Sequence, residues 1–486
     1  VRIFKFLLLL VFCSGYAAAQ IFNADTLKYY AAPAAQGIDS DIFCRLYSYL
    51  NAYNGDIRSV VVIKNGYIIS ESYKCPIYKE FPQNLYSASK QVMALLTGIA
   101  IKEGFIKSEE EAVADIIPAT TINNNSPYWK ELKIKHLLMM TSGFRPGEPD
   151  SFKTCGEVFQ KITFSAKPGE VFNYNELDPQ LLVAVIEQAS KMDVKQFAEK
   201  YLLSKLNIHS YQWLTIKGEC NGGSGLRLKA LDMAKLGWLL TDEGKWNNEQ
   251  IIGKDFWIRG RESSDKYDWT YWGWKIDNQN FCAIGHDGQY IYCSPNRKFC
   301  CVITSLIPDT FRTAFIKTLS DTFFTKFDTV LIAGDTSKYA KNCGLMDNTL
   351  KRVQIPQWLL PFTNRPLLEI VRGDTISLVL NLHTDSSLTI ALEGRGRKFV
   401  FESGNGEEKF SHMQMFGEDL ENPAYGGLNL LSHLDVAGDS LIIMTKDIYV
   451  TGKFGASVYT KGEAFEFDLY FGQETPRVRF VSRLKQ

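Results

Sequence analysis

The stretch SASKQVMALLTGIAIKEG, residues 87–104, decides how the rest of the chain is read. Its apolar side chains recur at three- and four-residue steps (Val92, Leu95, Leu96, Ile99), which predicts a helix over Ser89 to Glu103 with Gly104 just past its end. Ser87 and Lys90 stand three apart and share a face at the helix start. A nucleophilic hydrolase needs a hydroxyl or thiol with a base within hydrogen-bond reach, and this pair offers one. Burial there would lower the pKa of the lysine, or its charge would stabilise a neighbouring anion, while the helix N-terminus adds backbone N–H groups and a positive dipole end. Alone the pattern is short, and an N-capping serine followed by a surface lysine has the same spelling.

Upstream, Ser40 to Tyr53 has a helical rhythm (Ile42, Phe43, Leu46, Tyr49, Leu50), followed by two strand-like runs, Ser59 to Lys64 and Tyr67 to Tyr73, joined by the hairpin dipeptide Asn65-Gly66. Downstream, Ser108 to Tyr267 reads mostly as helix and loop. Three further strands follow, Phe281 to Ile284, Tyr290 to Ser294 and Phe299 to Ser305, with a turn at Ser294-Pro295-Asn296 and a last amphipathic helix near Thr310 to Phe327. The order predicts an α+β class: an antiparallel sheet flanked by helices, with a helical insertion, the sheet being made from both ends of the domain. From Lys338 the pattern changes to two-residue alternation in Asp374 to Leu382, Leu388 to Leu392, Lys398 to Glu402, Leu441 to Met444, Phe465 to Phe471 and Val478 to Val481. Residues 20–337 are thus expected to form the first domain and 338–486 a small all-β domain, a barrel or sandwich.

A chain of 486 residues has ample length for such cores. Lys plus Arg and Asp plus Glu both number 54, so the basic surplus of a phosphate-binding surface is missing, and neither nucleic acid nor an anionic membrane face is the expected partner. Residues 1–19 read as a signal peptide: Arg2 and Lys5 give the positive flank, Phe6 to Phe12 the apolar core, and Ala17-Ala18-Ala19 the cleavage site before Gln20. The apolar run is too short for a membrane span, no later stretch is long enough, and a lipid anchor at Cys13 is disfavoured by the bulky Phe12 before it. The expected product is exported and soluble, periplasmic or secreted. Nine cysteines remain after the signal, scattered and odd in number, so at least one thiol is free. Cys300 and Cys301 fall on opposite faces of a strand, as buried apolar residues. No CxxC, no HExxH and no clustering of the six histidines points to a metal site.

Ser87-Ala88-Ser89-Lys90 is not isolated. Ile134 to Phe144 (IKHLLMMTSGF), Lys167 to Leu182 (KPGEVFNYNELDPQLL), Gly222 to Leu240 (GGSGLRLKALDMAKLGWLL) and Ala283 to Ser305 (AIGHDGQYIYCSPNRKFCCVITS) accompany it in order. Together they resemble the serine β-lactamase-like family, which takes in class C β-lactamases, DD-peptidases of the penicillin-binding kind, esterases and 6-aminohexanoate-dimer hydrolases, over about Ser59 to Phe327. The resemblance implies Ser87 as nucleophile, Lys90 as its helper, Tyr174 as the tyrosine of the second motif, and His286-Asp287-Gly288 at the third, strand-borne motif. It implies Gly288 as a residue that lets the strand approach a substrate, and the N–H groups of Ser87 and Gln289 as the oxyanion hole. A phenol serves as base only where cations favour its anion, and Lys90 with a protonatable His286 would be those cations.

Two departures bear on mechanism. The second motif is commonly Tyr-x-Asn, whereas this chain reads Tyr174-Asn175-Glu176. If Glu176 points at Lys90 it favours the ammonium and shifts the task of base towards Tyr174; alternatively Asn175 takes the amide's place and Glu176 faces solvent. The third motif of β-lactamases is usually Lys-Thr-Gly, a fixed cation for a substrate carboxylate, and His286 replaces it. No GxSxG elbow, phosphate loop or dinucleotide fingerprint occurs. Trp269, Tyr271, Trp272 and Trp274 either line a substrate cleft or belong to the core.

The expectation is an exported serine hydrolase that cleaves a small-molecule or peptide-like amide or ester through a Ser87 acyl-enzyme, with no metal or organic cofactor. The competing expectations are a catalytically weak penicillin-binding-like sensor or wall-binding protein, and a chain whose β domain carries the main role by binding glycan or partner.

Overall fold

The computed structural model describes residues 31–327, with breaks at 54, 75–76, 78, 123–125, 147–153 and 264–266, and the backbone of strands between 366 and 483. The proposed signal peptide, Cys13 and the boundary at 337/338 lie outside the described residues.

The hairpin read from Asn65-Gly66 is present: β1 (Asp56–Lys64) and β2 (Tyr67–Tyr73) pair antiparallel, and both turn residues take positive φ, 51° and 83°, the conformation a two-residue hairpin needs. At the other end of the domain come β3 (Trp269–Thr270), β4 (Gly273–Lys275), β5 (Phe281–Gly285), β6 (Gln289–Ser294) and β7 (Phe299–Leu306). They join the hairpin in one seven-stranded sheet of order β3-β4-β5-β6-β7-β1-β2. The closing step pairs β1 with β7 antiparallel, from Asp56 opposite Leu306 to Lys64 opposite Phe299. The sheet is therefore built from both ends of the domain, as expected; β3 and β4 are additions at its edge, too short for strand alternation to reveal.

Both faces of this sheet are covered. Val61, Ile63, Cys293, Cys300 and Val302 face a core shared with α2 (Ser89–Lys102), α3 (Leu177–Ser190) and α4 (Ala230–Thr241). Val60, Val62, Cys282, Cys301 and Ile303 face a second core with α1 (Ser40–Ala52) and α5 (Asp309–Thr322), filled by Phe43, Leu46, Leu50, Phe315, Ile316 and Leu319. Cys300 and Cys301 thus point to opposite sides, as period two demands. Among the described residues Cys155, Cys220, Cys282, Cys293, Cys300 and Cys301 are free and buried, whereas Cys44 is disulfide-bonded.

Helix α2 is the axis of the larger core: every residue from Ser89 to Ala100 is buried, so it is a helix enclosed on all sides and not the one-faced helix its apolar spacing suggests. Each fully buried Leu or Val in it contributes roughly 1.5–3 kcal/mol of burial, which fixes its N-terminus in place. Further along, ten strands between Pro366–Val371 and Pro476–Arg483 pair consecutively as two antiparallel sheets of four and six. They include the six anticipated runs and add Pro366–Val371, Lys409–Met413, Leu428–Ala437 and Lys453–Lys461. Among the described residues no helix is long and apolar enough to cross a membrane.

Candidate active site

Ser87 lies in a single 3-10 turn, Tyr86–Ala88, that runs directly into α2. Tyr86 is held at φ 48°, a left-handed conformation costing a non-glycine residue about 1 kcal/mol, and such strain is found where a side chain must be aimed. Ser87 is half-buried, and Lys90, one turn on, is buried with its Nζ 3.3 Å from the Ser87 Oγ. The same ammonium donates to Glu176 Oε1 at 2.5 Å and to the carbonyl of Gly223 at 3.0 Å. Lysine has three N–H donors, and each has a partner here. Burial works against the charge of Lys90, but Glu176 and, less strongly, Tyr174 outweigh it, so its pKa stands above the ordinary lysine value. Sequence left open whether Lys90 is a lowered-pKa base or a charged neighbour; the geometry makes it an ammonium.

Tyr174 brings its ring to 5.0 Å from Lys90 Nζ, measured to the ring centroid. Its other contacts are aromatic: Trp269 edge-on at 5.3 Å and Trp274 stacked at 5.7 Å. Of the two arrangements open for the second motif, Glu176 takes the inward one because Asn175 is already employed. Asn175 Oδ1 accepts from the N–H groups of Leu177 and Asp178, both at 2.8 Å, capping α3, and its Nδ2 donates to the Asn173 carbonyl. Room for the Glu176 carboxylate comes from Gly223, where a Cβ would lie 1.9 Å from Oε2. That Oε2 is buried without a hydrogen-bond partner. One turn further, Asp178 is fully buried; burial raises its pKa to about 7 although nearby Ser142 and Asn175 favour the carboxylate. Neither of its carboxyl oxygens is in hydrogen-bonding geometry with a partner.

The third motif sits at a hairpin tip and not along a strand: His286, Asp287 and Gly288 form the turn between β5 and β6, with Asp287 at φ 60° and Gly288 at φ 83°. Gly288 is needed for that φ and because its Cα faces the Ser305 Oγ, which donates to its carbonyl at 2.6 Å. A second close approach is at Gly285, where a Cβ would lie 2.1 Å from the carbonyl of Leu85, the residue that leads into the turn carrying Ser87. Gln289 is buried with its amide donating to the Ser305 carbonyl at 2.8 Å, so any part it takes in the site is through its backbone N–H. His286 is exposed, edge-on to Tyr86 at 5.5 Å, and lies between two carboxylates: Nδ1 is 2.8 Å from Asp309 Oδ2 and Nε2 3.3 Å from Asp287 Oδ1. Asp309 in turn holds Arg312 at 3.1 Å.

The structure therefore brings Ser87, Lys90, Tyr174 and Glu176 together, turns Asn175 to a capping task, and sets His286 beside them across Tyr86. Sequence reasoning missed Gly223, Gly285, Asp178 and Asp309. Only the spacing Gly222-Gly223 carried a hint of the first; nothing ties Asp309 to His286 before the chain folds. Of the four aromatics before the third motif, Tyr271 and Trp272 are core, Trp269 is buried and donates its N–H to the Leu138 carbonyl, and Trp274 is half-exposed on Tyr174.

The family model described as Beta-lactamase matches residues 58–306, slightly more than half of the chain. Among solved structures, a provisionally assigned β-lactamase from Bacteroides dorei is 15% identical with a TM-score of 0.51, covering 60% of this chain and 100% of its own. A provisionally assigned 6-aminohexanoate-dimer hydrolase from Bacillus anthracis is 17% identical with a TM-score of 0.48, covering 56% of this chain and 80% of its own. An octameric penicillin-binding protein homologue from Pyrococcus abyssi is 15% identical with a TM-score of 0.46, covering 91% of this chain and 99% of its own. The likeness to the Bacteroides dorei protein is one of fold. No curated protein matches the chain.

Proposed function

The chain belongs to the Beta-lactamase family, and from that premise we propose that it is a serine hydrolase that cleaves an amide or ester through an acyl-enzyme on Ser87. Ser87 Oγ attacks the substrate carbonyl; its proton passes to the Tyr174 oxygen and on to the leaving group; water then attacks the acyl ester by the reverse route. The N–H groups of Ser87 and Gln289 receive the oxyanion. Lys90 stays an ammonium throughout, stabilising negative charge on its neighbours, since a protonated lysine has no lone pair with which to take the serine proton. The observation that carries this reading is the buried Lys90 Nζ held between the Ser87 Oγ at 3.3 Å and Glu176 Oε1 at 2.5 Å.

His286 stands where β-lactamases usually have a fixed cation, and both of its nitrogens already face carboxylates. This favours a substrate without a carboxylate at that end, an ester or amide, over a β-lactam. Export is supported by the residues 1–19 pattern and by the Cys44 disulfide, a bond that persists in oxidising compartments. Residues 338–486 are assigned to a separate β domain that supplies no catalytic group. A second reading, a slowly acylating penicillin-binding-like protein, is favoured by the same Lys90–Glu176 pair, which removes lysine as a base.

Labelling with a fluorophosphonate, with the adduct mapped by mass spectrometry, tests both. Modification of Ser87 alone, with ester or amide turnover lost in Ser87→Ala, is the expected result. A Ser87 adduct in a parent that turns over no ester or amide would favour the second reading, and an adduct elsewhere would end the assignment of Ser87.

A further inference from the structure

We propose that the half-exposed rings of Phe172, Tyr267 and Trp274 form a subsite for the leaving group of the substrate, and that this leaving group carries a flat aromatic ring. The inference rests on the acyl-enzyme reading above and names the substrate class of that same site.

The rings are continuous with the site. Trp274 stacks on Tyr174 at 5.7 Å and 28°; Phe172 meets Trp274 edge-on at 6.4 Å; Tyr267 stacks on Phe172 at 4.7 Å and 24°. They come from three separate segments: the approach to α3, the residue two before β3, and β4. All three are half-exposed, and Val171 beside them is 44% exposed. The same stretch of sequence sends Tyr271 and Trp272 into the core, so this surface position is not for want of interior. Large apolar rings left together at a surface next to a reactive group mark a binding face.

The side of the scissile bond follows from the proton. Tyr174 must lie within about 3 Å of the leaving atom to protonate it, so whatever is attached to that atom is carried onto the ring that stacks on Tyr174. In the acyl-enzyme reading the acyl oxygen is taken by the N–H groups of Ser87 and Gln289, not by Tyr174. Charge selects the chemistry: Lys90 is paired with Glu176, and Arg312 with Asp309. No cation in this set is left to meet an anionic leaving group, while aromatic faces in this arrangement receive rings in offset or edge-on contact.

The test compares three esters of the full-length protein's kcat/KM: 2-naphthyl acetate, hexafluoroisopropyl acetate, whose alcohol is of similar acidity but has no ring, and hexafluoroisopropyl 2-naphthoate, which moves the ring to the acyl side. Each substrate needs the same proton transfer, so a change in Tyr174 placement cancels in the ratios. The parent is expected to prefer 2-naphthyl acetate over hexafluoroisopropyl acetate; that ratio should fall roughly three- to tenfold in Trp274→Ala and in Phe172→Ala and recover in Trp274→Phe. The ratio between the two hexafluoroisopropyl esters should stay constant. A parent that is labelled at Ser87 but shows no preference for the naphthyl leaving group, or variants that change the acyl preference instead, would overturn the subsite and leave the hydrolase reading standing. A parent neither labelled nor active on any of the three would overturn both.

Discussion

Replacing Glu176 by Gln removes one charge from the Lys90 ion pair while keeping its size and a hydrogen-bond acceptor. With the charge centres about 4 Å apart, the attraction is worth about 4 kcal/mol at the effective dielectric of a near-surface pair. The Glu176 side chain is 41% exposed, so solvent screening cuts this by half or more, to about 1.5–2 kcal/mol. Without it the ammonium is held less firmly and the Lys90 pKa falls. The direction is fixed by burial: Lys90 is raised only because Glu176 and Tyr174 outweigh desolvation, and desolvation gains when the carboxylate goes. The parent should then keep its activity far into the alkaline range, because the ammonium beside Tyr174 is lost only at very high pH. In Glu176→Gln the alkaline fall of kcat/KM should begin at lower pH than in the parent. The assay is kcat/KM against pH, which reports the free enzyme, on whichever ester the parent hydrolyses best. A variant whose activity instead climbs with pH through a lowered pKa would show neutral Lys90 acting as the base and refute the assignment of Tyr174. An unchanged profile would mean that Glu176 does not set the charge of Lys90.

Gly223→Ala places a methyl group 1.9 Å from Glu176 Oε2, so the carboxylate must leave Lys90; the variant should reproduce the alkaline shift of Glu176→Gln, and a parental profile in a folded Gly223→Ala protein would contradict the geometry. Tyr174→Phe should lower the acylation rate by about 10²–10⁴-fold, measured by stopped-flow or by probe labelling, while circular dichroism stays parental. Asp178 binds a proton in the folded state up to about pH 7, whereas an unfolded Asp releases it near pH 4. The folded protein therefore loses stability as pH rises through that window, by at most about 4 kcal/mol, and denaturant titrations of Asp178→Asn should lack this fall; equal slopes for parent and variant would rule it out.

Most of the fold was legible because its elements are long enough to show a period. Helix α2 and strands β1, β6 and β7 each repeat their apolar pattern at least twice, and the Asn65-Gly66 turn fixes one register outright. β3 and β4, two and three residues long, hold no complete repeat; they exist because the edge of β5 offers backbone partners, which is a property of the assembled sheet. Helix α2 shows a subtler limit. Its spacing marks one apolar face, but its small residues Ala94, Gly98 and Ala100 close the other, and only packing tells that Gly98 lies where a Cβ would meet the Phe256 ring at 2.6 Å.

The candidate site divides along the same line. Ser87 and Lys90 are three residues apart on one helix, so their proximity is a local fact that spacing can state. The protonation of Lys90 is not local. It depends on which of two adjacent side chains, Asn175 or Glu176, turns inward, and the decision is made by the two free N–H groups at the start of α3. Those donors claim the shorter amide, since its Oδ1 reaches back to Leu177 and Asp178, and leave the longer carboxylate to reach Lys90. Gly223, some 47 residues further on, then admits the carboxylate because it has no Cβ. The same logic governs His286, whose carboxylate Asp309 arrives on the first turn of α5, 23 residues away. Motif letters thus specify which groups can meet, while the charge each carries is decided by helix caps and missing methyl groups elsewhere. In this chain that difference separates a lysine that takes a proton from one that keeps it.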